Sequence, residues 1–171
     1  MNNKKGLCSG WLIEQARSAG FLDSGTQLGI CKIPCYWRPR SPFVVPEDLS
    51  IPLIMVGPGT GVAPFLGFLQ HRMAQRSSNP AMAFGESWLF FGCRNPSQDF
   101  IFQDELESFV QQGVLDHLVV AFLQIDPCCY VQDKLREYSL QVYDLLQNGA
   151  ILFVCGYDIQ PHSLLKITHT L

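Results

Sequence analysis

Apolar residues along the chain follow two alternating rhythms. Short unbroken runs have the length of buried strands: Leu53-Ile54-Met55-Val56, Trp88-Leu89-Phe90-Phe91, Leu118-Val119-Val120-Ala121-Phe122 and Ile151-Leu152-Phe153-Val154. Between them apolar positions recur at helical spacing. Phe65, Leu66, Phe68, Leu69 and Met73 predict a helix to about Arg76. Phe102, Leu106, Phe109 and Val110 predict one ending at Gly113, where glycine suits a left-handed cap. Val131, Leu135, Tyr138, Val142 and Leu145 predict a third, ending at Gly149. This alternation implies an α/β fold, a doubly wound parallel sheet covered on both faces. The strands' carboxyl ends then share one rim, where open sheets of this kind bind ligands. That rim is expected to hold Gly57 to Gly61, Cys93-Arg94, Leu123-Gln124 and Cys155-Gly156.

The most informative stretch is IPLIMVGPGTGVAPFLGFLQHR, residues 51–72. After the first strand, Gly57-Pro58-Gly59-Thr60-Gly61 is expected to break regular structure. A strand, a glycine turn and a helix make a phosphate cradle. The backbone approaches the anion closely, and the helix amino end supplies free amides and a favourable dipole. Thr60 can add a hydroxyl, and Pro64 suits a first helical turn. The pattern by itself also fits a structural turn: the third small position of the dinucleotide fingerprint is Val62, and no Lys-Ser or Lys-Thr makes a P-loop. The uncharged run from Leu49 to Gln70 approaches a membrane span in length, but its glycines and prolines oppose a continuous helix.

Residues 1–50 do not read as a complete domain. A small-residue turn at Gly6-Leu7-Cys8-Ser9 leads into a helical pattern through Ile13, Ala16 and Arg17, with Ser9 as a candidate cap. Gly25 to Cys35 holds one short strand-like run. Pro34, Pro39, Pro42 and Pro46 then make an extended linker.

Composition narrows the function. The 171 residues carry a net charge of −3 with no basic run, which argues against nucleic acid as a partner. Seven cysteines at irregular spacings suggest free thiols in a reducing compartment, the cytoplasm, and no metal site. The four histidines form no readable triad. Arg94, just after the second strand, can pair with phosphate oxygens or stand as a surface charge. Cys93 and Cys155 end two strands and can be small apolar fillers.

GLCSGWL, the 51–72 stretch, WLFFGCRNPSQDFIFQDEL and ILFVCG, in this order, resemble the carboxyl-terminal half of the diflavin reductases of the ferredoxin–NADP reductase superfamily. The resemblance implies a Rossmann-like NADP-binding domain over 51–171, preceded at 1–50 by a remnant of an FAD-binding β-barrel. It implies NADP and FAD as cofactors, with FMN only on a separate domain. Gly6, Leu7, Cys8 and Ser9 then match the loop holding the FAD pyrophosphate, and Gly57, Pro58, Gly59 and Thr60 the NADP pyrophosphate turn. Cys93 and Arg94 fall beside the nucleotide, Tyr130 and Gln132 around the adenosine, and Cys155 near the nicotinamide, as the catalytic position. The implied activity passes a hydride from NADPH to FAD and then electrons to methionine synthase or another acceptor, with no membrane partner. Leu123-Gln124 replaces the family's Ser-Arg, and Cys128 replaces a lysine, which implies weaker preference for the 2′-phosphate. The tail from Asp158 departs from the family, and the resemblance implies a barrel that is incomplete. A catalytically incomplete dinucleotide-binding or protein-interaction fragment is therefore the alternative, and an incomplete barrel is expected to leave apolar surface uncovered.

Overall fold

Among the described residues four strands form one parallel sheet: β1 (Leu53–Pro58), β2 (Ser87–Cys93), β3 (His117–Phe122) and β4 (Ile151–Val154), in the order β3-β2-β1-β4. The computed structural model describes residues 6–20, 32–36, 43–125 and 128–156. Register is continuous across the centre, with Ile54 opposite Trp88 and Leu152, and Phe90 opposite Val119. Every residue of β2 is buried, as are the first five of β1. A central strand with both faces covered reads as an unbroken apolar run for this reason.

Alternate residues of β1 feed two separate cores. Leu53 and Met55 join Phe65, Leu69, Leu89, Phe91, Leu106 and Phe109 on one face. Ile54 and Val56 join Trp88, Phe90, Val119, Val131 and Leu145 on the other. Helices α2 (Ala63–Ser78) and α3 (Gln103–Gln111), which follow α1 (Leu7–Ser18), supply the first face. The second is covered by α4 (Val131–Glu137) and α5 (Ser139–Gln147). The sheet is therefore doubly wound and Rossmann-like.

The apolar stripe from Val131 to Leu145 thus belongs to two helices rather than one. Tyr138 stands at the junction with φ −96° and ψ 22°. Its ring lies edge-on to Trp88 and Phe90 at centroid distances of 5.5 and 6.2 Å. Packing that ring into the sheet redirects the chain between Val131 and Leu145.

Strand ends also extend past the apolar runs. Gly57 and Pro58 continue β1, although the sequence reads them as the start of a turn, and Gly92 and Cys93 continue β2. Pro58 lies opposite Gly92 in the ladder, so backbone pairing sets the boundary rather than side-chain propensity. Gly113 adopts φ 66° after α3, the expected left-handed cap.

At the amino ends of the strands, α2 is tied down by arginines. Buried Arg72 donates to the Gly85 carbonyl, and Arg76 donates to the Gly113 carbonyl. Both guanidinium groups lie over the Phe84 ring, at 5.2 and 5.0 Å from its centroid. Ser87, fully buried, donates to Asp116 Oδ2 at 2.8 Å.

The chain divides into two units, residues 1–41 and 42–171. In the first, α1 begins at Leu7 with Gly6 as its N-cap, so Ser9 lies inside the helix and does not cap it. Helical bonding starts early because Gly10 N–H already reaches the Gly6 carbonyl at 2.7 Å. Residues 32–36 form no strand; the rest of the strand-like run expected from Gly25, and the tail from 157, lie outside the described residues.

Candidate functional site

The chain leaves β1 towards β2 and β3, then returns on the other side of β1 as β4. The carboxyl ends of β1 and β4 therefore flank the point where the winding reverses, the crevice in which such sheets bind ligands. The glycine stretch lies at this crevice. Its first two residues complete β1, and Gly59–Val62 form a 3₁₀ turn that runs directly into α2, with Pro64 in the first helical turn. The leading amides of such a turn have no carbonyl one turn earlier to bond, and the helix dipole adds positive character there.

Each glycine of the turn answers a different demand. A Cβ on Gly57 would meet the Phe65 ring at 2.9 Å, so its absence lets α2 pack against β1. A Cβ on Gly61 would overlap the Cys155 carbonyl, so its absence joins the turn to the end of β4. Gly59 has φ 56°, and a Cβ there would meet nothing within 4 Å. Gly57 and Gly61 are buried, whereas Pro58 and Thr60 are exposed and Gly59 half-exposed. The turn is thus anchored at both ends and open at its tip. An open backbone cradle at a helix amino end fits the diphosphate of a dinucleotide.

The other rim residues converge on the same edge. Pro58 lies between Gly92, its ladder partner, and Gly156, whose Cβ would come within 2.9 Å of the Pro58 ring. Cys155, half-buried, donates its amide to the Val56 carbonyl at 2.9 Å. Leu123 and Gln124 donate their amides to the Cys93 and Arg94 carbonyls at 3.0 and 2.9 Å, placing the end of β3 beside that of β2. Gln124 is exposed.

The side chains of Cys93 and Arg94 diverge. The Cys93 thiol belongs to the core shared with Phe91 and Leu106, so only its backbone faces the rim. Burial pushes this thiol's pKa up, and the Asp99 carboxylate adds to the effect. Arg94 is 70% exposed, and its Nε lies 3.6 Å from Asp99 Oδ2. Asp99, five residues on, is a rim acid that the motif reading passed over; an acid after the arginine was the available signal.

Tyr130 is the N-cap of α4, and its amide donates to Asp133 Oδ2 at 3.0 Å. The Tyr130 side chain is about half exposed and Gln132 is intermediate. Gly6, Leu7, Cys8 and Ser9 are exposed at the start of α1, in the first unit. Among the described residues no His, Cys, Asp or Glu cluster could hold a metal, and no helix is long and apolar enough to cross a membrane. A concavity of about 550 Å³ lies away from this rim, at the opposite strand ends between Trp88, Asp116, His117 and Tyr138. It lacks the glycine turn and helix amino end that an anion needs.

Comparison with known proteins places this geometry. The oxidoreductase NAD-binding domain family matches residues 55–161. The chain is similar to methionine synthase reductase of Bos taurus, 43% identical over 168 residues, covering 90% of this chain and 24% of the relative. It is 42% identical over 127 residues to a bifunctional cytochrome P450/NADPH–P450 reductase of Bacillus cereus, covering 73% of this chain and 12% of the relative. A sulfite reductase [NADPH] flavoprotein alpha-component from Shewanella sp. strain ANA-3 is 41% identical over 146 residues, covering 83% of this chain and 23% of the relative. The chain spans about a quarter of the length of the methionine synthase reductases it matches.

Proposed function

Because the chain belongs to the oxidoreductase NAD-binding domain family, we propose that its sheet rim binds NADPH and presents the nicotinamide for hydride transfer to FAD. The main support is the turn at the switch point, open at Gly59 and closed against Cys155 by Gly61. In this reading the amides of Gly59 to Val62 bind the diphosphate, and Thr60 adds a hydroxyl. Gly57 and Pro58 hold that turn to the sheet. Arg94, released from Asp99, turns towards a phosphate. Tyr130 and Gln132 flank the adenosine, the Cys93 backbone walls the same side, and Cys155 abuts the nicotinamide. Gly6, Leu7, Cys8 and Ser9 contact the FAD diphosphate. Residues 1–50 then act as part of an FAD-binding domain and residues 51–171 as the NADP-binding domain.

When bound, the nicotinamide supplies a hydride to FAD, whose electrons leave singly, through FMN on a separate domain, to an acceptor such as the cobalamin of methionine synthase. The described cysteines are all free, in keeping with work in the reducing cytoplasm.

A second reading, binding without turnover or docking to another protein, is favoured by the exposed apolar residues Leu7, Trp11, Leu12 and Ile13 of α1. Calorimetric titration with NADPH, NADH and 2′-phospho-AMP, followed by NADPH-dependent dye reduction with added FAD, separates the two. Binding of NADPH with dye reduction supports the first reading, and binding without reduction the second. A chain that binds none of the three ligands refutes the dinucleotide site.

A further inference from the structure

Cys128 and Cys129 have no role in the site described above. Both residues line a cavity of about 430 Å³ at the carboxyl end of β3, with Phe122, Lys134 and Glu137. Cys128 is exposed and Cys129 half-buried. The chain is held at Cys129 and immediately after it. The Cys129 amide donates to the Phe122 carbonyl at 3.2 Å, and the Tyr130 amide to Asp133. The Cys129 thiol donates to the Tyr130 carbonyl at 3.6 Å. Lys134, in the last turn of α4, has its pKa raised chiefly by its hydrogen bond to Glu137, with the charge of Cys129 a smaller contribution.

We propose that Cys128-Cys129 is a redox pair, closed to a vicinal disulfide by hydroperoxides, whose closure weakens dinucleotide binding. The Cys129 thiolate attacks one oxygen of hydrogen peroxide and breaks the O–O bond. Cys129 becomes a sulfenic acid, and the departing hydroxide takes a proton to leave as water. The Cys128 sulfur then attacks the Cys129 sulfur, forming the S–S bond. The sulfenic oxygen leaves as a second water with the Cys128 proton. Two thiols are oxidised and one peroxide is reduced to two waters. Exposed Cys128 acts as the resolving thiol, the arrangement that stops oxidation at a reversible stage.

Chain geometry makes such a bond a switch rather than a staple. Adjacent Cα atoms lie about 3.8 Å apart across a trans peptide, less than the usual disulfide span of about 4.4–6.8 Å. The resulting ring is strained and readily re-reduced. Tying up the Cys129 sulfur also removes its bond to the carbonyl of Tyr130, the N-cap of α4. Coupling to the nucleotide rests on the reading of Tyr130 and Gln132 as adenosine contacts. Cys93 is the internal contrast, since its buried thiol has a raised pKa and is screened from peroxide.

Peptide mass spectrometry of the full chain after hydrogen peroxide tests this. The tryptic peptide spanning residues 95–134 contains both cysteines and no other. It should lose two hydrogens and regain them with dithiothreitol. In Cys128→Ser, Cys129 should instead be trapped by dimedone as a sulfenic acid. NADPH affinity should fall several-fold on oxidation and recover on reduction. A peptide that stays unmodified, or gains oxygen without ring closure, overturns the redox pair. A closed disulfide with unchanged NADPH affinity overturns the coupling. A reduced chain that binds no dinucleotide counts instead against the nucleotide site, and the mass result still decides the redox pair.

Discussion

Gly61 lies against the carbonyl of Cys155, so closely that a single added carbon would overlap it. The contact joins the first turn of the sheet domain to its last described strand. Replacing Gly61 with alanine forces the two apart. Overpacking of this kind costs about 1–3 kcal/mol, and at this chain size each kcal/mol lowers Tm by about 2–4 °C. Gly61→Ala should therefore show a clear fall in thermal denaturation, together with lost NADPH binding. An unchanged melting curve would mean that the turn and β4 do not touch.

Gly59 should respond in the opposite proportion. Its methyl would meet no neighbour, so Gly59→Ala incurs only the left-handed backbone strain, about 1–2 kcal/mol. The same methyl projects into the open cradle. Loss of one amide contact to a charged ligand, about 1.5–3 kcal/mol, predicts about a ten- to hundredfold weaker affinity for NADPH by calorimetry. Unaltered affinity in a folded Gly59→Ala chain would place the diphosphate elsewhere.

Gln124 tests nucleotide choice. Its amide is fixed to the Arg94 carbonyl, so an arginine at 124 would rise from the rim beside Arg94. Gln124→Arg should tighten NADPH binding by about tenfold or more through a charge-assisted contact to the 2′-phosphate, and leave NADH unchanged. Equal gains for both nucleotides would show a general charge effect instead.

Arg72 tests the opposite end of the sheet. The side chain is 3% exposed, and burial lowers its pKa while Asp116 acts to raise it. Arg72→Ala leaves the Gly85 carbonyl without this donor and removes one of the two guanidinium groups over the Phe84 ring. Losing that contact predicts about 1–3 kcal/mol of destabilisation in urea, with NADPH affinity retained in the folded fraction. A matching loss of affinity would show that the two ends of the sheet are coupled.

Cys93 gives a pH dependence with a definite sign. Its folded pKa is raised, mainly by burial. The folded chain therefore keeps a proton that the unfolded chain releases. The resulting stability is fully present below the thiol's ordinary pKa and is lost as pH rises through the raised value. Urea denaturation across the alkaline range should fall more steeply for the wild type than for Cys93→Ala. Parallel curves would assign the loss to other groups.

The strands and the winding were legible because both faces of this sheet are buried, so Leu53 to Val56 and Trp88 to Phe91 read as plain apolar runs. Their ends were not. Gly57, Pro58, Gly92 and Cys93 have little strand character, and the ladder between neighbours extends through them. The break at Tyr138 was hidden for a similar reason: helical spacing continues through it, whereas the aromatic contacts it makes with Trp88 and Phe90 lie across the fold. Among the site candidates, the glycine turn carried its own signal. The burial of Cys93 and the tether from Asp99 to Arg94 depend on which way a strand faces and where a loop folds back, and local pattern records neither.

Because the winding reverses between β1 and β4, the crevice has one wall from each end of the sheet domain. During synthesis the glycine turn leaves the ribosome about a hundred residues before Cys155 and Gly156, at roughly 5–20 residues per second. The nascent chain thus spends seconds with half a crevice, and a dinucleotide gripped by both walls would bind only once β4 has docked.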